Sequence, residues 1–152
     1  MTKIYLSADL EGALWVTSPR QCDAKVDSVA YAEAVERLAI EVNVVAKACF
    51  DFGATEVVVN DSHLTMTNLT LKHVDKRISL VSGKPKICAM SAGLDRHFDA
   101  AIYVGYHAKA GSENGILNHT FHSHLWDVSV NGVSLGEGGI NALYAALQHQ
   151  VP

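Results

Sequence analysis

Three stretches of this sequence close an apolar run on groups that bind metals or move protons: Asp9-Leu10-Glu11, Asp61-Ser62-His63, and His107 after Gly105-Tyr106. Two carboxylates as close as Asp9 and Glu11 repel unless positive charge lies between them, and a cation is an economical source of it. Carboxylate together with imidazole is a ligand set suited to zinc or a neighbouring first-row metal, and with no closed cysteine cage it describes an open, hydrolytic site. Each group also has an ordinary reading. Asp9 and Glu11 could be a polar loop, His63 a turn cap, and His107 a satisfied histidine at the core edge. Glu137, in Gly136-Glu137-Gly138-Gly139, either complements a helix dipole or reaches a metal past its small neighbours. His119, His122 and His124 include a candidate proton-transfer group, and their spacing does not rank them.

These groups need elements to bring them together. Residues 3–8 read as a first strand ending at Asp9, and 55–59 as a buried parallel strand ending in Asn60-Asp61-Ser62-His63. Between them Tyr31, Val35, Leu38, Val42, Val45 and Cys49 recur at helical steps over 28–52, with Gly53 at the C-terminal cap. Shorter helices are expected at 69–74 and 87–94, strands at 78–81 and 100–104, and a last helix at about 140–149. Asn131-Gly132 between alternating residues 127–130 and 133–135 predicts a two-residue hairpin. The expected class is α/β, a mainly parallel sheet flanked by helices with a β-hairpin near 127–135. In such sheets ligands sit off the carboxyl ends of the strands, so Asp9, Glu11, Asp61, His63 and His107 are expected to converge.

Composition narrows the partners. The chain has 152 residues, 49% hydrophobic and 18% charged, with 12 basic against 16 acidic side chains and a net charge of −4. A chain this long buries roughly 70% of its unfolded surface, so it folds without a structural metal, and a bound metal would serve chemistry. No basic cluster offers a nucleic-acid footprint, and no apolar run approaches the roughly 20 residues of a membrane span. Cys22, Cys49 and Cys88 form no CxxC pair and suit a reducing compartment, so the expected location is cytoplasmic. Gly136–Gly139 lacks the ending of a P-loop, and there is no Gly-x-Ser-x-Gly elbow for a serine nucleophile. Eight histidines, five of them between 97 and 124, are the compositional excess.

Asp9-Leu10-Glu11-Gly12, Val59-Asn60-Asp61-Ser62-His63, Gly105-Tyr106-His107-Ala108, Asn118-His119-Thr120 and Gly136-Glu137-x-Gly-x-Asn141-Ala142 resemble, in this order and spacing, the motifs of DppA-type D-aminopeptidases, the M55 metallopeptidases. The resemblance runs from Lys3 to Pro152 and implies a dinuclear zinc aminopeptidase acting on short peptides with an N-terminal D-residue. It implies Asp9, Glu11, His63, His107 and Glu137 as metal ligands, His119 as the catalytic histidine, two zinc ions per chain, and a ring-shaped homo-oligomer. After Asp-x-Glu-Gly the family usually continues with Ile and small residues, where this chain has Ala13-Leu14-Trp15. Family members are longer and carry a second domain, so residues 1–152 are expected to be a single α/β metal-binding domain, the N-terminal portion of that architecture. Two other readings stand beside this one: a catalytically silent metal- or peptide-binding assembly domain, and a Mg-dependent phosphohydrolase. The paired aspartates of the latter would need a second Asp where Glu11 stands.

Overall fold

A computed structural model describes residues 1–152. Strands β1 (Thr2–Ala8), β2 (Ala54–Asp61), β3 (Ile78–Val81) and β4 (Ala100–Val104) form one parallel sheet in the order β3-β2-β1-β4. The chain moves outward from β1 through β2 to β3 and then returns to the other side of β1, so the direction switches between β1 and β4. The register places Ala8 beside both Asp61 and Val104, so three strands release their following loops at one level.

Helix α1 (Ser28–Asp51) connects β1 to β2. Asp27 caps it, its side chain accepting from the Ala30 amide at 3.1 Å, and Gly53 at φ +103° ends it. Ala34, Val35, Leu38, Ala39, Val42 and Ala46 lie on its buried face and pack on Ile4, Leu6, Ala8, Val57 and Val59, one side chain in two along each strand. This cluster holds 20 buried residues, whereas the apolar cluster on the opposite sheet face has five: Tyr5, Val58, Leu94, Ala145 and Val151. Helix α2 (Glu137–Tyr144) and a π-helical turn (Ala145–His149) belong to that second face. The hairpin is shorter than the alternation suggested, β5 (Ser129–Val130) with β6 (Val133–Ser134). Its Asn131 and Gly132 both have positive φ, as a type I′ turn requires.

Two expected helices are absent. Residues 69–74 form turns because their backbone groups pair with side chains from elsewhere: the Leu69 amide donates to Asp61, and Asn43 of α1 donates to the His73 carbonyl and accepts from the Asp75 amide. Across 87–94 only Ala89–Ser91 make a single 3₁₀ turn. Cys88, Ala89 and Gly93 take positive φ, and the Ala89, Met90 and Ala92 carbonyls accept from Asn60, Ser7 and Tyr5. The final helix starts at Glu137, three residues before its expected start, so Glu137 is its first residue.

The loops after β1 and β4 interlock through Asp9 N–H to the Val104 carbonyl (2.9 Å) and Gly12 N–H to the Gly105 carbonyl (2.8 Å). A Cβ on Gly105, at φ +68°, would lie 2.1 Å from the Asp9 carbonyl oxygen, while one on Gly132 would meet nothing. Gly105→Ala is therefore expected to lower stability by about 2–4 kcal/mol in urea unfolding. Gly132→Ala, which faces only the backbone penalty, should cost about 1 kcal/mol.

Candidate metal centre

Asp9 and Glu11 follow β1, His63 follows β2, His107 follows β4, and Glu137 opens α2. All are largely buried. Period-two alternation sorts them. Asp9 is in step with Tyr5 and Ser7 on the face away from α1, while Asp61 is in step with Val57 and Val59 on the α1 face. Asp61 accordingly leaves the cluster: its carboxylate accepts from Asn68 Nδ2 (2.6 Å) and the Leu69 amide (2.7 Å), tying down the loop that carries His63. The expected convergence holds for Asp9, Glu11, His63 and His107 and fails for Asp61.

Two imidazoles are anchored by their far nitrogens. His63 Nε2 donates to the Cys22 carbonyl at 2.7 Å and His107 Nδ1 to the Ala108 carbonyl at 2.9 Å, which leaves His63 Nδ1 and His107 Nε2 as the atoms turned inward. His63 Nδ1 lies 2.8 Å from Glu11 Oε2 and 3.6 Å from Asp9 Oδ1, and His107 Nε2 lies 3.6 Å from Asp9 Oδ2 and 3.2 Å from Glu137 Oε1. Four buried side-chain polar atoms in the protein lack a hydrogen-bond partner, and three of them, Asp9 Oδ2, Glu11 Oε2 and His107 Nε2, meet here. Lone pairs so arranged repel unless positive charge sits between them.

The titration of these groups expresses the same demand. Burial pushes the Asp9 carboxyl up to about 6, helped by Glu11 and Glu137, although the facing His63 imidazole opposes it. Glu11 is buried too, which works upward, but the His63 imidazole holds it below the carboxylate range. For His63 and His107 burial works downward and is outweighed by the carboxylates, Asp9 and Glu11 at His63 and chiefly Glu137 at His107. Their values rise to about 10 and about 9. Ligand atoms of Asp9, Glu11 and His107, and separately of His107, His119 and Glu137, lie within 4.8 Å of one another. These are oxygen and imidazole donors in two overlapping groups, and they fit a zinc-like ion.

His119 is also in this cluster. Its Nδ1 donates to the Leu117 carbonyl at 2.9 Å, and its Nε2 faces Glu137 Oε1 at 3.6 Å and Glu11 Oε1 at 3.8 Å. Its ring stacks on His107 with centroids 3.9 Å apart and planes 4° from parallel. It remains one-third exposed, so it is reachable from the cavity. His122 and His124 are exposed and contact each other instead. A cavity of about 490 Å³ opens on the cluster, bounded also by Ser62, Leu64, Met66, Lys84, Met90, Phe121 and Asn141.

Sequence reasoning missed three supports. The Cys22 carbonyl that anchors His63 and the Phe121 amide that donates to Glu137 Oε1 at 2.6 Å are backbone groups, which leave no trace in residue type. The third is a hydroxyl network beneath the site. Ser7 Oγ donates to the Met90 carbonyl at 2.7 Å, so it accepts from Tyr106 and Ser62, each at 2.7 Å. The alternation of polar Ser7 within an apolar strand was its one visible sign.

A family model described as D-aminopeptidase, peptidase M55, matches residues 2–152. The chain belongs to this family. It is 36% identical over 152 residues to the D-aminopeptidase of Bacillus subtilis (strain 168), covering 99% of this chain and 53% of that one. Among solved structures it is similar to the "Zn-dependent D-aminopeptidase DppA from Bacillus subtilis, a self-compartmentalizing protease", with a TM-score of 0.83 and 35% identity over 95% of this chain and 52% of the other. The chain thus spans about half the length of these relatives, and the fold it shares with them is the α/β arrangement described above.

A cation that relieves the repulsion should stabilise the folded state by mass action, by about 2.7 kcal/mol at a hundredfold excess over its dissociation constant. Zinc is expected to raise the melting temperature and a chelator to reverse the rise. Asp9→Asn should abolish the zinc-dependent part, whereas Asp61→Asn should lower the starting temperature and leave the zinc-dependent rise intact.

Proposed function

We propose that the chain forms the metal-binding part of a zinc-dependent aminopeptidase that hydrolyses short peptides with an N-terminal D-residue, using two zinc ions. The observation that carries this reading is the convergence of two buried carboxylate oxygens without hydrogen-bond partners, on Asp9 and Glu11, with two imidazoles fixed by their far nitrogens. Family membership and the zinc-dependent relative support the reaction class. Imidazole donors favour zinc over the all-oxygen coordination of a Mg-dependent phosphohydrolase.

Asp9 would be a ligand shared across the cluster, with Oδ1 facing His63 and Oδ2 facing His107. Glu11 and His63 would complete one position, and His107 with Glu137 the other. Bound zinc supplies Lewis acidity for the scissile carbonyl and water acidified toward neutrality. His119, with its proton held at Nδ1 by Leu117, has Nε2 free to take a proton from water and return it to the leaving amine. A free α-amine is a further donor for a metal held by these residues, which suits cleavage beside the N-terminus.

The self-compartmentalizing relative supports a closed, ring-shaped homo-oligomer for this chain as well. All three cysteines are free, as in a cytoplasmic protein, and no helix is long and apolar enough to cross a membrane. The alternative is a silent metal-binding assembly domain, which would hold the same ligand cluster without turnover.

Elemental analysis is expected to find about two zinc ions per chain, and D-alanyl peptides to be cleaved in preference to L-alanyl ones. His119→Ala should lower kcat by about 10²–10⁴ with zinc content unchanged. Zinc bound with no turnover of either stereoisomer would establish the silent domain instead, and the absence of zinc would sink both.

A further inference from the structure

We infer that Ser7 is a positioning residue for the metal centre, its hydroxyl fixing the strand-end loops that carry the ligands of both metal positions. The inference rests on the two-position reading above. Ser7 lies on β1, completely buried, two residues before Asp9, and its hydroxyl bonds to none of the ligands.

A serine hydroxyl has one hydrogen and two lone pairs. The hydrogen goes to the Met90 carbonyl at 2.7 Å, which can only accept, so the Ser62 and Tyr106 hydroxyls both donate to Ser7 Oγ at 2.7 Å. Every bonding place on this oxygen is then filled. The direction of the chain is set from its far end. Lys86 Nζ donates to Asn60 Oδ1 at 2.6 Å and so turns the Asn60 amide nitrogen toward Ser62 Oγ, 3.1 Å away. Ser62 accepts from Asn60 and passes its own hydrogen to Ser7, because its other acceptors, the Asn60 and Met90 carbonyls, lie farther off at 3.2 and 3.4 Å.

The two donors belong to different halves of the ligand cluster. Ser62 directly precedes His63, which with Glu11 forms one proposed position. Tyr106 directly precedes His107, and its ring also meets the first turn of α2: a Cβ on Gly138, the residue after Glu137, would lie 3.4 Å from Tyr106 Cδ1. Tyr106 thus bears on the carriers of both His107 and Glu137, the other proposed position. One oxygen on β1 ties the loop of one position to the loop of the other, and their separation follows from two hydrogen bonds. These bonds act in a buried, low-dielectric layer, where they polarise and strengthen one another. A nearby hydroxyl supplies the contrast. Tyr5 OH, on the same strand and sheet face, faces the Ala92 and Met90 carbonyls at 2.9 and 3.4 Å and bonds to no loop that carries a ligand.

The test measures zinc affinity of the full chain by competition with a chromophoric chelator, with melting temperature read on the same samples. Ser7→Ala strips Ser62 and Tyr106 of their shared acceptor and is expected to weaken zinc binding by about 10–100-fold, the size of effect that follows loss of groups orienting metal ligands. Tyr5→Phe should lower the melting temperature and leave zinc affinity as it was. Backgrounds with one position removed separate the two branches. With His63→Ala, Tyr106→Phe should weaken the remaining ion and Ser62→Ala should not; with His107→Ala the two should exchange roles. Equal zinc affinity in the wild type and Ser7→Ala, or an equal loss in Tyr5→Phe, would overturn the inference, as would Tyr106→Phe and Ser62→Ala acting alike in both backgrounds. A wild type that takes a single zinc would remove the two-position reading, while weakening of that ion by Ser7→Ala but not by Tyr5→Phe would keep Ser7 as its positioning residue. Two ions indifferent to Ser7 would do the reverse, and no zinc at all would end both.

Discussion

Asp9, Glu11 and Glu137 bring three carboxylates into one largely buried space, and the two nearest imidazole nitrogens face them, drawn by those carboxylates toward carrying positive charge. Left to itself such a cluster would spread apart or draw in water, because desolvated like charges repel far more strongly than exposed ones. The fold prevents this through backbone contacts that the ligands themselves cannot supply. Asp9 is fixed by its amide on Val104, His63 by the Cys22 carbonyl, His107 by the Ala108 carbonyl and Glu137 by the Phe121 amide. These contacts orient the ligand groups through the backbone, and the unsatisfied atoms they present are what an ion would satisfy.

Holding a repelling cluster costs stability, and the two faces of the sheet show where the compensation lies. The α1 face buries a continuous apolar cluster of 20 residues, whereas the apolar cluster on the face that carries the site has five, interleaved with Ser7, Asn60, Ser62, Ser91 and Tyr106. Hydroxyls and amides there are paired with one another and with the irregular 89–92 carbonyls. Such a face is specific in geometry but contributes less apolar burial, so the helix-covered face must carry most of the stability.

Much of this was legible in the residues and some of it was not, for reasons that can be named. Strands and the long helix could be read because their periods of two and about three and a half are written in side-chain type, and strand ends followed from them. The parity that separates Asp9 from Asp61 was equally present in Val57-Val58-Val59-Asn60-Asp61, and applying it would have placed Asp61 under α1. Residues 69–74 and 87–94 have helical composition, but their backbone groups are claimed by Asp61, Asn43, Asn60, Ser7 and Tyr5. Those partners are remote in sequence, and no local window contains them.

The segment around His119 shows how irregular chain can still be placed with accuracy. Its amide donates to the Ala108 carbonyl at 3.2 Å, the same oxygen that accepts from His107 Nδ1 at 2.9 Å. Thr120 Oγ1, fully buried, accepts from the Ala110 amide at 3.1 Å, and Phe121 reaches Glu137. One carbonyl therefore sets the height of both stacked rings, one a ligand candidate and the other the proposed proton carrier. Because His119 is stitched to the strand end that presents His107, any shift of β4 moves both imidazoles together and preserves their spacing. A histidine two or three residues further on has no such stitch, which is why His122 and His124, identical in chemistry, lie outside the cluster.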